Sequence, residues 1–260
     1  MASLCPKCGG GWSRERSYNE YSPRPGVIAG KCHRASCGYF KPPKAGKLTN
    51  KNLEKRMTDE LSRNVPIAWE KAFFGNYGLT TKDYPLWLNT TKECLTYAVI
   101  GYDNNRIGYI NRWLFNADGS KRKAFKTLVL DSSVPFIGFA GARTGKTAII
   151  VEDIASALVL SKMFPDTLCV HLNGCNMTDE IAAYLKSKRV SRVILMLDGD
   201  AALLASKYTR RYRTMGMFQM FEPVYLPVGI DPKHLACEEN WQLKEEIIRQ
   251  VRALMQKRVA

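Results

Sequence analysis

After residue 145 the chain alternates between short apolar runs and longer amphipathic segments, and this pattern restricts its fold more than any other feature. Short runs rich in Val, Ile and Leu are typical of strands that are buried on both faces. Strands are predicted at 148–151, 168–172, 193–197 and 223–226, and helices at 153–163, 178–188, 201–215 and 238–257. The alternation predicts an α/β fold, with a mostly parallel, Rossmann-like sheet covered by helices on both faces.

Four of the eight cysteines lie in the first 40 residues: Cys5, Cys8, Cys32 and Cys37. Two residues separate the first pair, and the second pair follows after 23 intervening residues. Two thiolate pairs at this spacing predict a closed, tetrahedral Zn²⁺ site with a structural role, although His33 is an alternative ligand. In so small a module, zinc binding would supply most of the folding free energy, roughly 10 kcal/mol or more.

Composition and breakers divide the chain into four predicted segments. These are a zinc ribbon (1–41), a linker (42–48), a basic mixed α/β subdomain (49–145) and the α/β domain with C-terminal helices (146–260). The linker contains Pro42-Pro43 and Gly46, which interrupt both helices and strands. Within the second folded segment we expect helices at 49–61 and 66–74, then a hairpin of 96–102 and 106–115 around an Asp-Asn-Asn turn.

Basic side chains are concentrated in two places outside the ribbon. The first is a run after the hairpin: Lys121, Arg122, Lys123 and Lys126. The second set lies along the helix predicted at 201–215: Lys207, Arg210, Arg211 and Arg213. Both sets suit phosphate binding, and both are also compatible with a solvated surface.

Carboxylates follow the ends of several predicted strands. Glu152 follows the strand at 148–151, Asp198 and Asp200 follow the strand at 193–197, and Asp231 follows another apolar run. Ligands of open α/β sheets bind at the carboxyl ends of the strands, and hard oxygen ligands suit Mg²⁺. An equally weighted alternative is that Asp198 and Asp200 cap the following helix.

The segment 140–147, Ala-Gly-Ala-Arg-Thr-Gly-Lys-Thr, fits a relaxed phosphate-binding loop. Such a loop requires a helix immediately after it, whereas the next residues are β-branched and predict a strand. We therefore interpret Gly145-Lys146 as an ordinary turn.

Charge narrows the classes of partner. Lys and Arg exceed Asp and Glu by 39 − 24 = 15, which favours a polyanion such as nucleic acid. No apolar stretch is long enough to span a bilayer, and the first residues lack a basic-then-apolar leader. We expect a cytoplasmic protein without a membrane partner.

These motifs occur in an order that resembles the primase half of bacteriophage primase–helicases and, more distantly, bacterial replicative primases. Residues 148–158 resemble the first TOPRIM motif, with Glu152 at its glutamate position, and 195–200 resemble the Asp-x-Asp motif. Residues 229–232 resemble the later Gly-Lys-Asp-Pro/Ala element, and 77–80 resemble a turn ahead of the catalytic core. The chain departs from this pattern with Asp153 in place of glycine, Ser156 in place of aspartate, and Ile230 in place of lysine.

The resemblance implies a nucleotidyltransferase that synthesises short RNA primers from ribonucleoside triphosphates on single-stranded DNA during replication. It implies that Glu152, Asp198 and Asp200 hold catalytic Mg²⁺, or Mn²⁺, with Asp231 in support. Lys121 and Lys123 would then act in catalysis, and Arg122 and Lys126 would bind nucleotide. The ribbon would select the initiation site, and a replicative helicase would be met in trans.

Two other classes remain open. One is a TOPRIM nuclease or topoisomerase-like strand cleaver, which would favour a tyrosine nucleophile. The other is a non-catalytic, single-stranded nucleic-acid-binding accessory protein, whose binding would need no Mg²⁺.

Overall fold

The computed structural model describes residues 18–24, 27–32, 40–45, 61–75, 77–91, 93–112, 125–143 and 145–257. For 18–45 and 125–128 it describes the backbone only. The chain separates into two units, Met1–Asp59 and Glu60–Ala260.

The first unit contains a three-stranded antiparallel sheet in the order β1-β2-β3. Its strands are β1 (Tyr18–Arg24), β2 (Val27–Cys32) and β3 (Phe40–Ala45). β3 extends into the segment that we predicted as linker. Pro42 and Pro43 are tolerated there because β3 is an edge strand and its register with β2 shifts at these residues. Cys32 ends β2, and the other three predicted zinc ligands lie outside the described residues.

The second unit begins with a five-stranded antiparallel meander in the order β4-β5-β6-β7-β8. The strands are β4 (Leu61–Ser62), β5 (Leu86–Asn89), β6 (Cys94–Ile100), β7 (Arg106–Arg112) and β8 (Phe125–Val129). Helix α1 (Ile67–Phe74) begins after Pro66, as predicted. The predicted hairpin is also confirmed, because β6 pairs with β7 around Asn104, which adopts a positive φ of 60°.

The second sheet has the order β13-β12-β10-β11-β9. Its strands are β9 (Gly138–Gly141), β10 (Thr147–Val151), β11 (Leu168–His171), β12 (Arg192–Leu195) and β13 (Met220–Pro223). The helices are α2 (Ile154–Met163), α3 (Asp179–Ser187), α4 (Ala202–Thr214) and α5 (Trp241–Gln256). The predicted alternation of strands and helices is confirmed, and the pairs formed by β10 through β13 are parallel.

β9 is the strand that the alternation did not predict. It runs antiparallel to β11 and lies before residue 146, where we placed the start of the C-terminal domain. Since β9 is followed by β10 and not by a helix, residues 140–147 do not form a phosphate-binding loop.

The second sheet is buried on both faces. Along β10, Ile149 and Val151 belong to one apolar cluster, while Ala148 and Ile150 belong to the cluster on the opposite face. Each buried isoleucine of this kind contributes about 1.5–3 kcal/mol relative to an exposed one. The continuous apolar run in the sequence therefore follows from burial of both faces. In the described part of the chain, no helix combines the length and the apolar character that a membrane span requires.

Candidate functional site

Carboxylates collect at the carboxyl end of the second sheet. Glu152 directly follows β10, and Asp198 lies three residues beyond β12, its parallel neighbour. One carboxylate oxygen from each of Asp153, Asp198 and Asp231 lies within 4.8 Å of the others. The fold thus brings together acidic residues that are 33 to 78 positions apart in the sequence.

Two turns have to touch for this cluster to form. The Gly199 N–H donates to the carbonyl of Ile230 over 2.9 Å, which joins the turn after Asp198 to the turn before Asp231. A Cβ atom on Gly199 would lie 1.9 Å from the carbonyl oxygen of Pro227. The residue between the two aspartates of the Asp-Gly-Asp motif must therefore be glycine, because its neighbour is backbone.

The ionised form of Asp198 is disfavoured in this cluster. Burial, and then the negative charges of Glu152 and Asp231, raise the pKa of Asp198 to about 8. Its Oδ1 atom is buried and has no hydrogen-bond partner. An orphaned carboxylate oxygen among other carboxylates is a position at which a cation would relieve both desolvation and repulsion.

Glu152 contacts Asp198 directly. Its Oε1 accepts a hydrogen bond from the backbone N–H of Asp198 over 3.3 Å. Burial raises the pKa of Glu152, the hydrogen bond opposes this effect, and the charges of neighbouring carboxylates including Asp200 add to it. Asp200 itself is exposed and is not one of the three clustered aspartates.

The capping alternative does not describe Asp198. Its side chain makes no capping hydrogen bond to the short 3₁₀ turn Gly199–Ala201, and the residue that precedes α4 is Ala201. Asp153 instead is a helix cap, since its Oδ1 accepts from the Ser156 N–H over 2.8 Å at the start of α2.

Sequence reasoning missed two residues of this site, Asp153 and Lys233. The Nζ atom of Lys233 lies 2.8 Å from Asp153 Oδ2 and 2.7 Å from Asp231 Oδ2. Burial alone would raise the pKa of Asp153, but Lys233 and the Ser156 N–H lower it below its usual value. The sequence gives only a weak indication of Lys233, namely that it lies two residues after the predicted ligand Asp231.

The donor set fits a hard divalent cation. All candidate ligands are carboxylate oxygens, and the buried, unpartnered Asp198 Oδ1 lies among them. Among the described residues, neither Glu152 nor Asp198 forms an ion pair with a Lys or Arg side chain. The two predicted ligands contact each other through the hydrogen bond from the Asp198 N–H to Glu152.

The predicted basic residues are only partly described. The run from Lys121 to Lys126 lies outside the described side chains. On α4, Arg211 pairs with Asp179 and Arg213 pairs with Glu222. Lys207 and Arg210 are exposed and form no ion pair with any residue the structure describes, so they are the free cations of that helix.

No protein-family model and no curated protein matches the sequence. The structure is similar to the DnaG primase catalytic domain bound to single-stranded DNA, with a TM-score of 0.54 at 14% identity over 77% of this chain and 79% of that chain. The zinc-binding and RNA polymerase domains of the Aquifex aeolicus primase give a TM-score of 0.49 at 19% identity over 77% of this chain. The match spans 46% of that Aquifex chain, less than half of its length.

A third similar structure is the primase fragment of the bacteriophage T7 primase–helicase, with a TM-score of 0.46 at 14% identity over 95% of this chain and 97% of that chain. The TM-score for the DnaG catalytic domain exceeds 0.5, so this chain has the mixed α/β fold of a primase catalytic core. At 14% identity the likeness shows the fold alone.

Proposed function

We propose that the chain is a DNA primase that synthesises short RNA primers on single-stranded DNA by metal-dependent nucleotidyl transfer. The observation that carries the proposal is the carboxylate cluster with the orphaned Asp198 oxygen at the carboxyl end of a primase-type sheet. The same fold can support many activities, and this carboxylate site is the feature that favours metal-dependent nucleotidyl transfer.

We assign metal binding to Glu152, Asp198 and the exposed Asp200, with Asp231 beside them. When bound, Mg²⁺ or Mn²⁺ would lower the pKa of the attacking 3′-hydroxyl group and stabilise charge on the leaving pyrophosphate. Glu152 and Asp198 would bind the ion, and the hydrogen bond from the Asp198 N–H to Glu152 would hold the two residues next to each other. The rigid Gly199–Ile230 hydrogen bond would keep Asp198 in position during the reaction.

We assign phosphate binding to two sets of basic side chains. Lys121, Arg122, Lys123 and Lys126 would hold the triphosphate and the template, and Lys207 and Arg210 would contact the template backbone. The net charge of +15 supports a polyanionic template. These contacts would carry affinity but no sequence information.

The N-terminal module is assigned to template selection. We propose that Cys5, Cys8, Cys32 and Cys37 bind structural zinc, and that the module recognises the site at which a primer starts. A replicative helicase in the cytoplasm is the protein partner that this role requires.

The site supports synthesis better than strand cleavage. Tyr77 is a tyrosine beside the cluster, with its ring centroid 5.6 Å from that of His234. Burial raises the pKa of Tyr77, and the charge of Lys233 only partly opposes this. A lowered pKa is one of the ways in which a protein activates a nucleophile, and the pKa of Tyr77 shifts in the opposite direction.

One incubation separates the two activities. Single-stranded DNA labelled at its 5′ end is incubated with the protein, Mg²⁺ and ribonucleotides that carry a different label. A primase leaves the DNA at full length and produces short, alkali-sensitive RNA. Shortened DNA, or DNA attached covalently to wild-type protein but not to Tyr77→Phe, would establish a strand cleaver instead.

A further inference from the structure

Lys233 lies inside the acidic cluster as a cation supplied by the chain itself. Its Nζ atom contacts one oxygen of Asp153 and one oxygen of Asp231, at 2.8 and 2.7 Å. All three side chains are about three-quarters buried or more, with exposed fractions of 18% for Lys233, 26% for Asp153 and 25% for Asp231. The contact is therefore a shielded ion pair and not a surface pair.

The two carboxylates are already engaged. Asp153 uses both of its oxygens, since Oδ1 accepts from the Ser156 N–H while Oδ2 accepts from Lys233. The Lys233 ammonium is paired with both carboxylates and neutralises this side of the cluster.

On the opposite side of the cluster, none of the described residues places a cation within ion-pair distance. One carboxylate oxygen of Asp198 lies within 4.8 Å of an oxygen of Asp153 and of Asp231. The Asp198 Oδ1 atom is nevertheless buried without a hydrogen-bond partner. Glu152 contacts Asp198 through the backbone N–H and adds a second carboxylate there. The cluster therefore has one half that is paired with Lys233 and another half, Glu152 and Asp198, that forms no ion pair with a residue the structure describes.

We propose that Lys233 takes the place of a second metal ion, so that the cluster binds a single divalent cation, through Glu152 and Asp198. The proposal deepens the proposed function, on which its role in primer synthesis rests. Lys233 is a positioning residue here: its ion pairs hold Asp153 and Asp231 in place without touching the reacting atoms. An ammonium with three donors can bridge two carboxylates, but it cannot coordinate the oxygens of a substrate phosphate as Mg²⁺ does.

The test counts ions without any nucleotide present. The zinc-loaded full-length chain is titrated with Mn²⁺, free Mn²⁺ is followed by electron paramagnetic resonance, and only ions that Mg²⁺ displaces are counted. We expect one ion per wild-type chain and none in Glu152→Gln/Asp198→Asn. We expect two ions in Lys233→Met, because Asp153 and Asp231 are then free to bind one.

Three further variants serve as controls for the number of bound ions. Lys233→Arg keeps the positive charge and should bind one ion. Lys188→Met removes a surface pair with Asp103, at 3.1 Å, and should also bind one. The triple variant Lys233→Met/Glu152→Gln/Asp198→Asn should retain one ion, held by Asp153 and Asp231.

Two displaceable ions in the wild-type chain would overturn the proposal, and so would a single ion in folded Lys233→Met. If Lys233→Met does not fold, as judged by circular dichroism, the wild-type count decides the question. The outcome is independent of the proposed activity. A chain that binds one ion but makes no primers would contradict the primase assignment and leave the role of Lys233 intact.

Discussion

Asp198 shows how a functional residue can destabilise its own fold. Its pKa, raised to about 8 from 3.8, means that the folded state favours the protonated form. Ionisation therefore lowers stability progressively as the pH rises from about 4 to about 8. The chain retains this cost because the same orphaned oxygen is available to a cation.

Replacing Asp198 with asparagine should stabilise the metal-free protein. We expect Asp198→Asn to raise the free energy of unfolding at pH 8 by about 1–2 kcal/mol, after allowance for partial exposure to solvent. Urea titrations of both proteins in chelator, at pH 4.5 and pH 8, measure the difference, which should nearly vanish at the lower pH.

Asp200→Asn serves as the matched control, because Asp200 is exposed and should change stability little. Mg²⁺ should stabilise the wild-type protein but not Asp198→Asn. A loss of stability in Asp198→Asn at pH 8 would show that the carboxylate is already compensated.

His171 should make the fold sensitive to acid. Its side chain is fully buried on β11, and burial lowers its pKa to about 4 while Asn173 partly opposes the shift. An unfolded histidine takes up its proton near pH 6.5, so stability is complete above that pH and is lost as the pH falls toward 4. We expect a loss of about 3 kcal/mol from this residue over that interval.

The acid sensitivity can be assigned by substitution. In His171→Gln, the fall in urea midpoint between pH 6.5 and pH 4.5 should be clearly smaller than in the wild-type protein. His234→Gln, which removes a histidine that is only partly buried, should keep the wild-type dependence. Equal pH profiles for His171→Gln and the wild type would refute the assignment.

At the scale of elements, the contact between two turns builds the site. The turn after β12 and the turn before the 3₁₀ helix Pro232–Ala236 meet at Gly199, where no Cβ atom fits. We expect Gly199→Ala to weaken Mn²⁺ binding roughly tenfold, because the added Cβ atom would collide with the Pro227 carbonyl and displace the turn that carries Asp198.

Gly216→Ala is a suitable control for that measurement. Gly216 follows α4 with a φ of 58°, and an added Cβ would meet no atom within 4 Å. This variant should lose about 1 kcal/mol of stability from backbone strain while it binds Mn²⁺ normally. If both variants bind Mn²⁺ equally well, the turn contact does not position the carboxylates.

The elements themselves were largely predictable from sequence, for physical reasons. β10 through β12 lie in the centre of the sheet, so their apolar runs are continuous, and α2 begins at the capping residue Asp153. β9 escaped prediction because four residues, two of them glycine, carry no periodic signal. β3 contradicted the expectation of a linker, because an edge strand tolerates the two prolines.

The site was only partly predictable. Glu152 and Asp198 could be placed near each other because strand ends of a parallel sheet converge. Asp231 was expected at another strand end, but it lies eight residues after β13 and reaches Asp198 through the contact between two turns. Asp153 looked like a departure from a motif, and nothing in the sequence showed that Lys233 would reach across to it. Such contacts depend on how two turns pack, which no pattern along one chain encodes.

At the scale of the whole molecule, the surplus of positive charge should govern binding to the template. Single-stranded nucleic acid releases about 0.7 counterions per neutralised phosphate. We expect Lys207→Gln/Arg210→Gln to reduce the slope of log affinity against log salt concentration by about 1–1.5 in fluorescence anisotropy titrations. The effect should be similar for DNA of any sequence.

Arg211→Gln/Arg213→Gln provides the comparison on the same helix. Both arginines are already paired with carboxylates, so this variant should change the slope less. If the two double variants give the same slope, α4 does not lie along the template.

The most direct test of the central claim is de novo RNA synthesis on a single-stranded DNA template of mixed sequence, with Mg²⁺ and labelled ribonucleotides. The wild-type chain and Glu180→Ala, which removes an exposed carboxylate of α3, should both make short, templated RNA. Asp198→Ala/Asp200→Ala should make about 100-fold less, or none, while it binds DNA normally. Undiminished synthesis by the double variant, or no synthesis by a wild-type chain that binds the template, would contradict the account.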